Sequence, residues 1–201
     1  VTVPLVLKSD GTKFGKSESR SVWLDPLKTS PYHFYQFWIN TPDSDVIQRL
    51  KQFTFLTPFQ IEELQVSLEN EPHLRKAQIA LAEDVTKLIH GEVALKQAQK
   101  ITSALFSGNI SELSIDEVKM AFDSMPKAEV NEDLSLIDAL VLCGAAPSKG
   151  EARKFITNGA ILVNGYQEKS LDAMLKKENA IGNTYSIIRR GKKNYFVLLH
   201  K

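Results

Sequence analysis

The sequence has little cysteine, since Cys143 is the only one among its 201 residues. A single thiol excludes an internal disulfide and a cysteine-based zinc cluster. It is typical of a reducing, cytoplasmic setting. Long apolar runs are also missing, because no stretch approaches the roughly 18 to 20 residues that a membrane span needs. We therefore expect a cytoplasmic protein with no membrane partner, in which Cys143 lies on the apolar face of a helix, in the core, and does not act as a nucleophile.

An excess of one charge is missing as well: 25 Lys+Arg face 24 Asp+Glu, for a net charge of +1. As a single number this argues against a protein that is basic all over and binds nucleic acid with its whole surface. The two parts of the chain differ, however. Residues 1–133 hold 14 Lys+Arg against 19 Asp+Glu, and residues 134–201 hold 11 against 5. The neutral total hides an acidic body and a basic end.

The first 30 residues show no helical pattern. They begin with Val1 and an apolar run of β type that has no partner upstream, so we expect the chain to start inside a larger protein. A turn at Asp10–Gly11 leads into a loop with Lys13, Lys16 and Arg20.

Residues 31–124 are predicted to be all α. Ser30–Pro31 and Thr57–Pro58 are pairs typical of a helix start, and Ser114 with Glu117 forms a capping box. Gly91 ends a run of apolar residues with helical spacing. Five of the seven residues 32–38, in the first of these helices, are aromatic. We interpret them as a buried helix rather than a surface on which bases stack; they are Tyr32, Phe34, Tyr35, Phe37 and Trp38.

Residues 125–133 are polar, contain a proline and have no apolar period, which predicts a linker. Residues 134–201 are predicted to form a small α+β unit. Its predicted elements are helices over 134–143 and 149–158, a capping box of Ser148 and Glu151, a strand at 161–163, a hairpin turn at Asn164–Gly165, strands at 185–188 and 195–199, and a basic turn over 189–194. The predicted fold class of the whole chain is α+β.

One loop has the composition of an anion site. Lys13 and Lys16 flank Gly15 three residues apart, so that two ammonium groups can converge on a phosphate while the glycine allows close approach of the backbone. The spacing is not that of a P-loop. Taken by itself, the loop is better explained as a lysine-rich surface segment.

The longer stretch resembles a known family. Thr12–Glu18, followed by Val22–Pro26 and by the aromatic segment after Pro31, is similar to the second signature loop and following helix of the bacterial tyrosyl-tRNA synthetases, which belong to class I. Phe14 and Gly15 stand where the family usually has Met and Ser. The resemblance extends over the whole chain.

This resemblance implies an enzyme that activates tyrosine with ATP and transfers it to tRNA(Tyr), with magnesium, as a homodimer. It implies that Lys13 and Lys16 are the catalytic, ATP-contacting lysines and that Phe14, Gly15 and Ser17 complete the ATP-binding loop. Residues 1–30 then end a catalytic domain, and residues 31–124 form a helical domain on the anticodon side of the tRNA. No further metal site is predicted.

The family also needs a His-x-Gly-His loop on a nucleotide-binding sheet. The four histidines of this sequence are scattered, and none stands in such a motif. We therefore expect the chain to be the C-terminal half of such an enzyme and not to form tyrosyl-adenylate by itself. Because the family's dimer surface lies largely on the other half, a monomer is an open alternative for this chain.

The basic end resembles an RNA-binding module first defined in a small-subunit ribosomal protein. The helix that starts after Ser148 offers free amides and a positive dipole to phosphate. The predicted RNA-binding residues are Ser148, Lys149, Arg153, Lys154, Asn164, Arg189, Arg190, Lys192 and Lys193. Such contacts position RNA without reading its sequence.

Two other interpretations account for less of the chain. A non-catalytic RNA-binding protein with this module explains residues 134–201 and leaves the lysine loop and the aromatic helix unexplained. An RNA-modifying enzyme needs a catalytic aspartate motif in a suitable sheet, and the sequence offers no plausible one.

Overall fold

The computed structural model describes residue 6, residues 22–192 and residues 194–201. The chain divides into two compact units, 1–100 and 101–201. Among the described residues, helices form the first unit and helices with a sheet form the second, so the predicted α+β class is confirmed. None of the helices in the described residues has the length and apolar composition to cross a membrane.

The described part of the first unit is helical. Its helices are α1 (Pro31–Ile39), α2 (Asp43–Phe53), α3 (Pro58–Asn70) and α4 (Lys76–Ser107), the last of which runs past the boundary between the units. The predicted starts are confirmed. The Ser30 hydroxyl accepts a bond from the His33 amide at 3.3 Å, and Thr57 and Gln60 form a reciprocal capping box.

The chain reverses within α4 at Gly91, whose φ of 83° and ψ of 170° are not helical. The Gln99 amide nitrogen donates to a Glu83 carboxylate oxygen at 2.7 Å. These residues lie eight positions to either side of Gly91, and a straight helix would separate them by about 24 Å. The two halves of α4 therefore run side by side up to this bond, and the predicted helix end at Gly91 is confirmed.

The aromatic helix α1 supplies much of the first unit's core. Tyr32, Phe34, Tyr35 and Trp38 are buried. The Trp38 ring lies 5.1 Å from the Phe53 ring of α2, and the Phe34 ring meets the His90 imidazole edge-on at 4.7 Å. The interpretation of these residues as core is confirmed. Burial lowers the pKa of His90, so its imidazole is neutral at pH 7.

The second unit is built on a five-stranded sheet with the order β1-β7-β6-β3-β4. Only β1 and β7 are parallel among these neighbours. Strands β2 and β5 form a separate antiparallel pair. The elements after α4 are α5 (Ile115–Phe122), β1 (Lys127–Val130), β2 (Leu134–Ser135), α6 (Leu136–Leu142), α7 (Lys149–Thr157), β3 (Ile161–Val163), β4 (Tyr166–Gln167), β5 (Met174–Leu175), β6 (Tyr185–Arg190) and β7 (Asn194–His200).

Each face of the sheet carries helices. On one face, Ile188 and Leu198 share a buried core with Leu140 of α6 and Ile156 of α7. Side chains alternate along a strand, so Tyr195 of β7 lies on the opposite face. There its ring is 5.6 Å from that of Phe122, and its hydroxyl donates to the Leu105 carbonyl at 2.7 Å. The end of α4 and α5 thus cover the face opposite α6 and α7.

The segment 125–133, which was predicted to be a linker, contains a β-strand. Within residues 125–133, β1 pairs in parallel with β7, with Lys127 opposite Val197 and Val130 opposite His200. The two compact units also divide at residue 100, before the predicted boundary at 124. The segment is polar because β1 lies at the edge of the sheet, where only Val130 of its four residues is buried.

Candidate nucleic-acid interface

The predicted ATP loop lies outside the described residues. It comprises Lys13, Phe14, Gly15, Lys16 and Ser17. The predicted RNA-binding residues lie in the second unit, and all but Lys193 are described.

Helix α7 begins at the predicted cap. The Ser148 hydroxyl accepts a bond from the Glu151 amide at 3.3 Å, so one of the first amides of the helix is satisfied and the others point out of its end. A complete capping box was predicted, with the Glu151 carboxylate returning to the Ser148 amide. Instead this carboxylate accepts a bond from the Lys154 ammonium at 2.7 Å. The end of the helix is thereby left to external anions.

Two of the predicted cations have carboxylate partners. The Lys149 ammonium lies 2.6 Å from a carboxylate oxygen of Asp138, and that of Lys154 lies 2.7 Å from Glu151. Bonds from Lys149 and Ser135 lower the pKa of Asp138, and the bond to Glu151 raises the pKa of Lys154. Both ion pairs lie at the surface, so each contributes little to stability.

Arg153 and Lys192 are exposed cations of the second unit. Arg153 lies on α7 near enough to Asp138 to lower the pKa of that carboxyl as well. Lys192 lies in the turn between β6 and β7. Both side chains reach solvent, which is where a phosphate backbone approaches.

Arg189 and Arg190 are not in a turn, contrary to the prediction. Both belong to β6, and alternation along the strand sends them to opposite faces. The Arg190 guanidinium lies 5.3 Å from the Phe155 ring of α7 and 5.7 Å from the Phe196 ring, and it donates to the Ala145 carbonyl. Arg190 therefore connects α7 to the sheet.

Arg189 lies on the other face of the sheet. Its guanidinium packs so closely on Gly108 that a Cβ added there would be 2.7 Å from Nη1. Gly108 has a φ of 91°, a conformation that favours glycine. The structure therefore does not bring Arg189 together with the cations of α7.

Asn164 has a structural task in the hairpin. Asn164 and Gly165 have φ values of 49° and 93°, and they join β3 to β4 as predicted. The Asn164 carboxamide oxygen accepts from the Ile187 amide at 2.8 Å, and its nitrogen donates to the Asn179 carbonyl at 3.1 Å. Both ends of the carboxamide hold the hairpin in place.

Sequence reasoning missed Asp138, which holds Lys149. The Ser135 hydroxyl accepts a bond from the Asp138 amide at 3.1 Å and donates to its carboxylate at 2.7 Å. A serine followed three residues later by an acidic residue is a recognisable helix start, and this pattern was available at Ser135.

Other reactive groups are few in this part of the chain. Burial raises the pKa of Cys143, which packs against the core of the second unit, so its thiol stays protonated. Across residue 6, residues 22–192 and residues 194–201, no group of three or more His, Cys, Asp or Glu side chains is placed to hold a metal ion.

Comparison with known proteins gives matches along the whole chain. The family model of the tRNA synthetases class I (W and Y) matches residues 1–107, and that of the tyrosine–tRNA ligase SYY-like C-terminal domain matches residues 117–198.

Curated relatives match over the same length. Tyrosine–tRNA ligase of Macrococcus caseolyticus is 52% identical over 200 residues, and that of Listeria innocua is 49% identical over 202 residues. Each match covers 100% of this chain and 48% of the relative. The chain therefore spans about half the length of the curated relatives it matches.

Solved structures match parts of the chain. A C-terminally truncated mitochondrial tyrosyl-tRNA synthetase of Coccidioides posadasii has a TM-score of 0.43 and 38% identity, over 50% of this chain and 26% of that one. A solution structure of a tyrosyl-tRNA synthetase C-terminal domain has a TM-score of 0.40 and 40% identity, over 49% of this chain and 100% of that one.

Proposed function

The chain belongs to the class I tRNA synthetases of the W and Y group, and from this membership we propose that it is part of a tyrosine–tRNA ligase, which activates tyrosine with ATP and transfers it to tRNA(Tyr). The identity of 49–52% to tyrosine–tRNA ligases along the whole chain is the observation that carries the proposal. A non-catalytic RNA-binding protein accounts less well for the chain, because the synthetase family model matches residues 1–107.

The proposal assigns a different role to each region of the chain. Residues 1–30 contribute Lys13 and Lys16, whose ammonium groups bind the ATP phosphates and offset the charge that develops as the tyrosine carboxylate displaces pyrophosphate. Phe14, Gly15 and Ser17 shape this loop. Magnesium accompanies ATP in the complete enzyme, which we propose to be a cytoplasmic homodimer. The chain alone is proposed not to form the adenylate, because no histidine of it stands in a His-x-Gly-His motif.

The remaining regions are assigned to tRNA. The helical region 31–124 faces the anticodon side, and residues 134–201 bind the RNA backbone. The start of α7 and the exposed side chains of Arg153 and Lys192 support this assignment. Lys149 and Lys154 join them when phosphate replaces Asp138 and Glu151 as their partners. Arg189 and Arg190 are left out of the RNA-binding set, because their guanidinium groups pack against Gly108 and between aromatic rings.

Charge reversal at Arg153 tests the assignment. We expect Arg153→Glu to weaken binding of tRNA(Tyr) by about tenfold at moderate salt and to reduce the slope of log affinity against log salt by about one, because one phosphate contact is lost. The measurement is a salt titration of the dissociation constant with the 201-residue chain.

Lys119→Glu is the matched control, because it makes the same charge change at an exposed position of α5, on the opposite side of the sheet. Affinity and slope should stay close to those of the parent. Equal effects of the two variants, or an unchanged slope for Arg153→Glu, would refute the assignment.

A further inference from the structure

A cavity of about 240 Å³ lies in the second unit, between the β3–β4 hairpin, β5 and the start of α6. Apolar side chains of Leu136, Val163 and Leu175 line its inner part. Tyr166, Met174 and Asn179 are further out at the surface, where their side chains are exposed. The cavity is smaller than the roughly 300 Å³ at which sites for drug-sized molecules begin, so its ligand must be small, such as a single planar ring system.

Two exposed apolar side chains stand at this cavity. Tyr166 is 69% exposed and Met174 is 46% exposed. Tyr166 lies opposite Val163 in the β3–β4 register, so its ring is on the same face of the sheet as the cavity. An exposed aromatic ring beside an apolar cavity contributes little to the fold, and such rings are the surfaces on which unstacked bases lie.

Some polar groups of the cavity stabilise the fold, and others are placed to bond a ligand. The Asn164 carboxamide holds the hairpin and the Ser186 hydroxyl bonds the His200 imidazole at 2.8 Å, so both serve the fold. At the rim, the Asn179 side chain brings a donor and an acceptor, and Lys176 brings an ammonium group 3.5 Å from Glu178. These groups match the mixed donors and acceptors on the edge of a nucleobase.

The cavity adjoins the cations of α7. Leu136 in the cavity directly follows Ser135, whose hydroxyl donates to Asp138 at 2.7 Å. Asp138 in turn lies 2.6 Å from the ammonium of Lys149. A backbone phosphate held by Lys149 is therefore beside the first turn of α6, the same turn from which Leu136 lines the cavity.

We propose that this cavity binds one unstacked nucleobase of the RNA held at the start of α7, with the base stacked on Tyr166 and its edge bonded at Asn179. The inference rests on the proposed RNA binding and adds to it. Phosphate contacts carry no sequence information, whereas a base in a pocket gives the second unit a way to distinguish one RNA from another.

Substitution of Tyr166 tests the proposal with the 201-residue chain and tRNA(Tyr). We expect Tyr166→Ala to weaken binding by about tenfold with an unchanged salt slope, because stacking involves no counterion release. Tyr166→Phe keeps the ring and is expected to lose much less. Leu171→Ala is the control, since Leu171 is a nearby exposed residue that does not line the cavity. Both positions are exposed, so the three variants should fold.

Ultraviolet crosslinking followed by mass spectrometry gives a second, direct readout. A nucleotide attached to the segment 166–179 supports the proposal. Parent-like affinity of Tyr166→Ala, or crosslinks confined to other segments while the RNA is bound, would overturn it and leave the proposed function intact. Failure of the parent chain to bind tRNA(Tyr) in a salt-dependent way would overturn the proposed function itself.

Discussion

Arg189 and Arg190 are neighbours in the sequence and lie on opposite faces of the same strand. Arg190 is held between the Phe155 and Phe196 rings and donates to the Ala145 carbonyl. A guanidinium in this position joins a helix, a loop and the sheet, and it is not available to a phosphate. Two residues of the same type and similar burial thus have different tasks, which are set by the direction in which each leaves the strand.

Removal of the Arg190 side chain should destabilise the second unit. We expect Arg190→Ala to lower the free energy of unfolding by about 2 kcal/mol, from the loss of two cation–π contacts and one charged hydrogen bond. Urea denaturation followed by circular dichroism measures it. Lys192→Ala, two residues on in the exposed turn, should change stability by less than about 0.5 kcal/mol. Equal stabilities of the two variants would show that Arg190 is not a structural residue.

For single residues, the sequence predicted where helix caps lie but not which side chains contact each other. The helix caps at Ser30, Thr57 and Ser114 were predictable because a cap depends on residues three positions apart. The contact of Arg190 with Phe155 was not, because Phe155 lies 35 positions away along the chain and meets Arg190 only when α7 packs on the sheet. Counting four cations from Arg189 to Lys193 therefore overestimated the charge open to RNA.

Among the elements, α4 depends most on one residue. Gly91 has a backbone conformation that is close to exclusive to glycine, and it lets Glu83 and Gln99 meet. A Cβ at Gly91 meets nothing within 4 Å, so any cost of a side chain there comes from the backbone alone. The reversal of α4 therefore depends on a backbone conformation that glycine readily adopts.

A pair of glycine-to-alanine variants isolates this backbone effect. Gly91→Ala should lower the free energy of unfolding by about 1–3 kcal/mol, because alanine does not tolerate the conformation. Gly150→Ala should raise it by about 0.5 kcal/mol, since Gly150 is helical and the new Cβ meets only the Ser148 hydroxyl at 3.8 Å. Thermal unfolding measures both changes. A Gly91→Ala protein as stable as the parent would contradict the account of α4.

The helix end at Gly91 was predictable from the sequence, and the reversal was not. Apolar spacing stops at Gly91, and glycine is the usual residue after a helix. After such a glycine the chain can continue, bend or turn back. The residue type does not indicate which of these paths the chain takes, because many glycines at helix ends share the same conformation. The strands of the second unit show the same limit, since β3 and its turn were predicted and β1 was not.

For the whole molecule, the interpretation of the charge distribution depends on where the chain is divided. Divided at residue 100, the units are nearly neutral: residues 1–100 hold 12 Lys+Arg and 12 Asp+Glu, and residues 101–201 hold 13 and 12. Within the second unit, residues 101–133 hold 2 against 7, and residues 134–201 hold 11 against 5. The asymmetry that the sequence predicted between two domains lies largely inside one compact unit.

The helices on the two faces of the sheet differ in charge: α5 holds two acidic residues and one basic residue, and α7 holds three basic residues and one acidic residue. The acidic segment includes α5, whose Phe122 packs on Tyr195, and the basic segment includes α6 and α7 on the opposite face. An RNA approaching the second unit is attracted to the side of α7 and repelled on the side of α5. The sequence could not give this geometry, because β1 pairs with a strand 70 positions away, as Lys127 with Val197 shows.

The central claim is that this chain binds tRNA(Tyr) through the α7 side of its second unit. The most direct measurement is a titration of the ¹⁵N-labelled 201-residue chain with tRNA(Tyr), followed by amide chemical shifts. We expect the largest shifts at the start of α7, from Ser148 to Arg153, and at the turn that contains Lys192, and small shifts in α5. Shifts confined to α5 or to the first unit, with none at α7, would contradict the account.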